Sequence, residues 1–365
     1  MASGGAPGHV TLSIVLVTLA IGQTLFLLLL ALLLFSHRNR MWRRRMSTER
    51  AREATELPVR QWLSRGGSAA DLRAALHGLP PGDAVAQLLE IADRVPTSEL
   101  GVLADALRDE PWVEAGLERS TSRAWWRRLE AARLLSVAGT VRDKARLHAL
   151  LRDRHSAVQA VAAAAIPRLG GADEVAIVLD ALPVQSLFVQ RAQYPLLAEV
   201  WGTSGALLCE RLDRPGAHPA ELVAWIPLAE ALGTPELLVA AMQYHAHVDP
   251  EVRVAVARAL RKYYHPSAMA CLRVMLLDQD WRVRAKAAQS LGTVGGVAAV
   301  DDLVRALPDA FWWVRFRTAL ALAQLGEPGR EALRTARSSS DRFVAEMASN
   351  IAGLTPGGVV ELNEG

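Results

Sequence analysis

Lysine is almost missing from this chain of 365 residues: Lys144, Lys262 and Lys286 are all there is, and arginine carries the rest of the positive charge. A bias of that kind points to a GC-rich bacterial genome. Cysteine is as scarce. Cys209 and Cys271 stand 62 residues apart with no partner pattern, which excludes a disulfide framework and fits a reducing compartment. Nowhere do apolar and polar residues alternate with period two, so no strand is expected. The motifs of common catalytic sites are missing too: there is no nucleophile elbow and no zinc-protease signature. The stretches "GGSAADL" (66–72) and "GTVGG" (292–296) lack the lysine of a phosphate-binding loop. His245, His247 and Asp249 invite a metal reading, but two histidines at a spacing of two do not share a helical face, and no metal or cofactor is expected.

Charge is unevenly spread. Residues 1–52 hold seven arginines and one acid, Glu49, whereas the chain after Arg52 holds 34 basic and 37 acidic residues. The body therefore lacks the positive balance that nucleic-acid binding needs, and no nucleic-acid partner is expected. Residues 10–35 are 26 positions without a charge. At 1.5 Å per residue such a run exceeds a hydrocarbon core of ~30 Å. The segment before it has no Lys or Arg and no cleavage motif follows, which argues against a signal peptide. Arg38, Arg40, Arg43, Arg44 and Arg45 follow, with Trp42 at headgroup level. By the positive-inside rule the sequence predicts a single-pass helix in a bacterial inner membrane, N-terminus outside, the remainder cytoplasmic.

What the chain has in abundance is a repeat. Val252-Arg253, Val283-Arg284 and Val314-Arg315 lie 31 residues apart. Each arginine is followed at +3 and +4 by small or β-branched residues and at +7 by leucine, one face of a helix. The register extends, weakening, to markers at 128, 159, 190, about 225 and 345. A second helical pattern precedes each marker, with a turn acid such as Asp153, Asp278 or Asp309 between them. Asp249-Pro250 reads as a helix start, and Gly170, Gly233, Gly292 and Gly326 as helix stops.

The stretches "DPEVRVAVARAL" (249–260), "DWRVRAKAAQSLG" (280–292) and "WWVRFRTALALAQLG" (312–326) resemble HEAT repeats, in particular the short bacterial kind of the phycobilisome-lyase-like type. The resemblance implies an all-α superhelix and, between neighbouring repeats, a structural ladder from turn acids to marker arginines, here Asp249, Arg253, Asp280, Arg284, Asp309 and Arg315. The expected organisation is an external tail (1–9), a membrane helix (10–35), a basic juxtamembrane segment (36–56), a HEAT-like solenoid (57–354, atypical hairpins to 122) and a C-terminal tail (355–365).

Trp281 and Trp312 both fall two residues before a marker valine, and Trp125 holds the equivalent place before Arg128. With Phe311 and Trp313 they form a candidate partner-docking stripe, since tryptophan and arginine are enriched at binding hot spots. The expected function is a non-catalytic, membrane-tethered scaffold for a protein partner, with a membrane enzyme such as a glycosyltransferase system as the class suggested by location. The alternative from the resemblance is a HEAT-type enzyme, either bilin-lyase-like or nucleic-acid-processing. The iron hydroxylases among HEAT-like proteins use His-Glu motifs, and this chain has no His-Glu dipeptide.

Overall fold

The computed structural model describes residues 68–364 continuously and, before them, Leu30, Phe35, Arg38, residues 46–47, 49–62 and Ser64. Among these residues there is no strand. The chain divides into two compact units, Met1–Ala115 and Gly116–Gly365.

In the first unit, helices Ala69–His77, Pro81–Ala92 and Thr97–Leu107 bury Leu72, Leu76, Leu88, Leu103 and Leu107. Ser68 caps the first of them in a reciprocal box with Asp71. Glu110 is buried there and takes hydrogen bonds from Arg73 Nε and His77 Nδ1, each at 2.7 Å.

The second unit is a two-layer stack of helical hairpins. The inner row runs Trp125–Ala138, Ser156–Ala163, Leu187–Glu199, Pro219–Leu232, Pro250–Ala259, Trp281–Val294, Trp312–Gln324 and Arg342–Ala352, each packing on the next. The outer row includes Lys144–Leu151, Ala172–Ala181, Trp201–Leu212, Pro235–Met242, Pro266–Met275, Val300–Ala306 and Glu327–Ala336. All eight marker positions fall within the inner row. The residues at +3, +4 and +7 from Arg253, Arg284 and Arg315 are buried without exception, because small side chains on that face let helices close on one another. Pro195 and Pro227 sit inside helices, and the chain breaks into a separate short helix, Ile166–Leu169, at Pro167.

Three expectations change. No helix among the described residues is long and apolar enough to cross a membrane, so the single-pass inner-membrane placement is not supported. Of the 10–35 run, only Leu30 and Phe35 are described; of the membrane-interface residues, Arg38 is described and is exposed, while Arg40, Trp42, Arg43, Arg44 and Arg45 lie outside the described residues. The membrane-enzyme partner class rested on that location and falls with it. Gly292 does not stop its helix, which continues to Val294. A Cβ there would stand 2.7 Å from Ala321 Cα, so glycine serves the contact between inner helices. The C-terminal residues, read as a tail, form the helix Pro356–Glu364, which packs on Trp312–Gln324 and buries Val359.

Candidate functional site

The marker arginines build one repeated clamp. Arg284 reaches Asp309 through Nε (2.7 Å to Oδ2) and Nη2 (3.0 Å to Oδ1), and its Nη1 donates to the Asp278 and Gln279 carbonyls. Arg253 does the same with Asp278 and the His247 and Val248 carbonyls. Arg128 does so with Asp153 and the Ser122 and Arg123 carbonyls. The acid always lies 25 residues after its arginine. Its Oδ1 also accepts the amide two residues on, from His155, Asp280 or Phe311. Burial pushes the Asp309 and Asp153 carboxyls up, but the arginine hydrogen bonds and the amide outweigh it and hold both below the ordinary range.

The expected ladder is thus partly rearranged. Arg253, Arg284 and Asp309 join it. Asp249 and Asp280 instead cap their helices, accepting from Glu251 N at 2.8 Å and Arg282 N at 2.9 Å, because they stand at the extended residue where the chain enters the helix. The rungs belong to Asp278 and Asp309. Arg315 keeps its two carbonyls, from Asp309 and Ala310, but position 340 is serine, and no carboxylate among the described residues pairs with it. Its Nε has no hydrogen-bond partner among the described residues, and its guanidinium lies 5.0 Å from the Phe343 ring.

The aromatics follow the same register. Trp281 stacks on Phe311 at 5.9 Å, and Arg284 covers that phenyl ring at 5.6 Å. Trp125 stacks on His155 at 4.2 Å in the corresponding place of the Arg128 clamp. In both cases the ring three residues before the arginine meets the ring 27 after it. Trp312 stacks on Phe316 at 4.8 Å and meets Trp313 edge-on at 4.8 Å. Phe311, Trp312 and Trp313 remain 48%, 49% and 50% exposed. The structure therefore gathers Trp281, Phe311, Trp312 and Trp313 on neighbouring repeats, whereas Trp125 belongs to a separate cluster with Trp126 and His155.

Sequence reasoning passed over a groove of about 680 Å³ on the inner row. Arg191, Arg258, Arg261, Lys262, Lys286 and Arg317 line it, against two acids, Glu230 and Glu251. Glu230 is buried and held by Arg258 Nε at 2.8 Å and Arg261 Nε at 2.9 Å; Glu251 pairs with Arg282. Lys286 donates to Gln289 Oε1 at 2.7 Å. Burial, joined by the charges of Arg317, Arg258 and Arg261, pulls its ammonium down to about 8. Burial likewise pushes Tyr194 up. The sequence signal was available: two of three lysines converge here, and Lys286 and Arg317 each stand two residues after a marker arginine. The histidines of the metal reading serve the backbone instead. His247 Nδ1 accepts from Asp249 N at 3.1 Å, and His245 Nδ1 donates to the Met242 carbonyl at 3.1 Å.

No curated protein matches the sequence. Among solved structures, an engineered protein is similar at 19% identity and a TM-score of 0.34, covering 87% of this chain and 95% of that one. Kap121p bound to Nup53p is similar at 13% identity and a TM-score of 0.45; the alignment covers 78% of this chain and spans 39% of Kap121p. The complex of CpcE and CpcF of phycocyanin lyase from Nostoc is similar at 21% identity and a TM-score of 0.29, over 66% of this chain and 93% of that one. These likenesses concern the fold alone. The family model described as HEAT repeats matches residues 234–323 and 276–352. Two of the three clamps lie inside that span, so the clamp geometry and the match to HEAT repeats coincide over residues 234–352.

Proposed function

We propose that the protein is a non-catalytic scaffold that docks a protein partner on the aromatic edge formed by Trp281, Phe311, Trp312 and Trp313. The observation that carries this reading is the half-exposure of three large rings each held by another ring, Phe311 stacked on Trp281 and Trp312 set edge-on against Trp313 and stacked on Phe316. Stacking fixes their rotamers, so little side-chain entropy remains to be lost on binding. Tryptophan beside arginine is the composition of an interface hot spot, and Arg284 covers the patch.

The test is crosslinking in intact cells with the wild-type chain and the Trp312→Ala/Trp313→Ala variant. A single dominant adduct, reduced at least tenfold in a variant with unchanged melting temperature, supports the scaffold. Equal adducts from both chains would exclude this edge as the docking site.

A further inference from the structure

The cationic groove stands out against its own background. After Arg52 the chain carries more acid than base, yet six cations and two acids meet in this one hollow. Glu230 offsets only part of that charge, being shared by Arg258 and Arg261, and Glu251 is bonded to Arg282 outside the lining, so the cations stay in excess. The cations form a row. Lys286 and Arg317 occupy the same register, 31 residues apart, on successive inner helices. One repeat earlier that register is Ala255, and Arg258 presents its cation from one helical turn further along the same face. Inner helices packed side by side place such positions ~10 Å apart.

A spacing of ~10 Å selects the ligand. A single nucleic-acid strand carries a phosphate every ~3.4 Å, three for each cation the row offers. Strands without sequence preference also need stacking platforms, and Tyr194 is the one aromatic side chain in this lining. A polyproline II peptide has three residues per turn and a rise of ~3.1 Å, so every third side chain faces the same way at ~9 Å intervals. Leu187, Val223, Pro227 and Val254 supply apolar wall between the charges for the intervening residues. One end of the row already holds a peptide group: Arg317 Nη1 donates to the Leu362 carbonyl of the C-terminal helix at 3.0 Å.

We propose that this groove binds an acidic peptide segment of a partner protein, extended in the polyproline II conformation with a carboxylate on every third residue facing Arg258, Lys286 and Arg317. The inference rests on the scaffold reading only in taking a protein as ligand; its residues are separate from the aromatic edge. Carboxylates set against Lys286 favour its charged form, so binding strengthens as pH falls through about 8, where the free groove begins to hold that proton. The charges facing Lys286 are those of Arg258, Arg261, Arg317 and Glu230. Arg191, Lys262, Glu251 and the Tyr194 hydroxyl complete the ionisable lining.

The experiment is fluorescence anisotropy of fluorescein-labelled (Glu-Pro-Pro)3 with the full-length protein at ~0.15 M salt. The expected result is saturable binding, lost with (Gln-Pro-Pro)3 and weakened at least fivefold when the three glutamates are grouped at one end. Lys286→Gln and Arg317→Gln each weaken it at least fivefold, whereas Lys144→Gln, the same change of charge outside the groove, leaves it within twofold. Melting temperatures are measured alongside, and only variants that fold are compared. No binding by (Glu-Pro-Pro)3, equal binding of the grouped peptide, equal loss with Lys144→Gln, or tighter binding of a nine-nucleotide thymidine strand each overturns the proposal. Any of these leaves the aromatic edge to stand or fall by its own crosslinking test.

Discussion

Arg284 and Asp309 share two hydrogen bonds across the boundary between consecutive repeats, and both side chains are nearly out of water, at 14% and 12% exposure. Removing one partner leaves the other charge buried and uncompensated, which typically costs ~3 kcal/mol. Asp309→Ala should therefore lower stability by about that much in urea melts. Arg284→Ala/Asp309→Ala should cost clearly less than the two single changes summed. The carboxyl of Asp309 is held low in the folded chain, so its contribution is present above the ordinary aspartate range and fades as pH falls through it. In the Asp309→Ala chain that part of the acid destabilisation should be missing.

The clamp geometry also identifies a repair. Ser340 stands where Asp309 stands one repeat earlier, and Arg315 there lacks a carboxylate among the described residues. Ser340→Asp should supply both the ion pair and an acceptor for the amide two residues on. A gain of about 1 kcal/mol is expected, visible as a melting temperature higher by roughly 2–4 °C for a unit of this size. The gain should vanish in an Arg315→Gln background.

Glycine in a helix interior usually loses to alanine by about 1 kcal/mol. At Gly292 the sign should reverse. The added methyl would stand 2.7 Å from Ala321 Cα and 2.8 Å from its Cβ, and neither is the flexible end of a side chain. Gly292→Ala should destabilise by about 1–3 kcal/mol, with native-state hydrogen exchange rising in Trp281–Val294 and Trp312–Gln324.

Lys286 costs the fold something at neutral pH. Its folded value, near 8, lies below that of an unfolded lysine, so from about pH 8 upward the unfolded chain binds more protons and stability rises with pH. Below that range the lysine is charged in both states and the full cost of its surroundings remains. Lys286→Met should raise stability at pH 7 by ~1 kcal/mol, modest because solvent reaches the groove, and should flatten the rise between pH 8 and 10. Chemical denaturation at three pH values checks both.

The helical repeat could be read from spacing alone, because positions +3, +4 and +7 must be small or apolar wherever neighbouring helices close, and that demand recurs in the letters. The clamp was half legible. Marker arginines repeat, but the turns hold several acids, and only three-dimensional structure separates the rung Asp278 from the cap Asp280 two residues on. The groove went unread for a different reason. Lys286, Arg317, Arg258 and Tyr194 sit in four separate repeats, each on its own inner helix, and become a site only where the inner row sets them side by side. The long apolar run at 10–35 shows the converse limit, since hydropathy proposed a span that no described helix supplies.

Between Arg128 and Arg253 the clamp is replaced by neutral groups. Gln159 bonds to the Asp153 carbonyl and to Gln185, Gln190 bonds to the Leu182 and Gln185 carbonyls, and Trp225 is buried with its Nε1 on the Leu179 carbonyl. Where each module touches only its neighbours, elasticity adds along the chain like springs in series, and the most compliant junctions set the response. Pulled from its ends, the second unit should yield first across residues 156–232, at the amide-bonded junctions, while the ionic rungs on either side hold; an optical-tweezers trace should record that as an early, low-force step before the remaining repeats release.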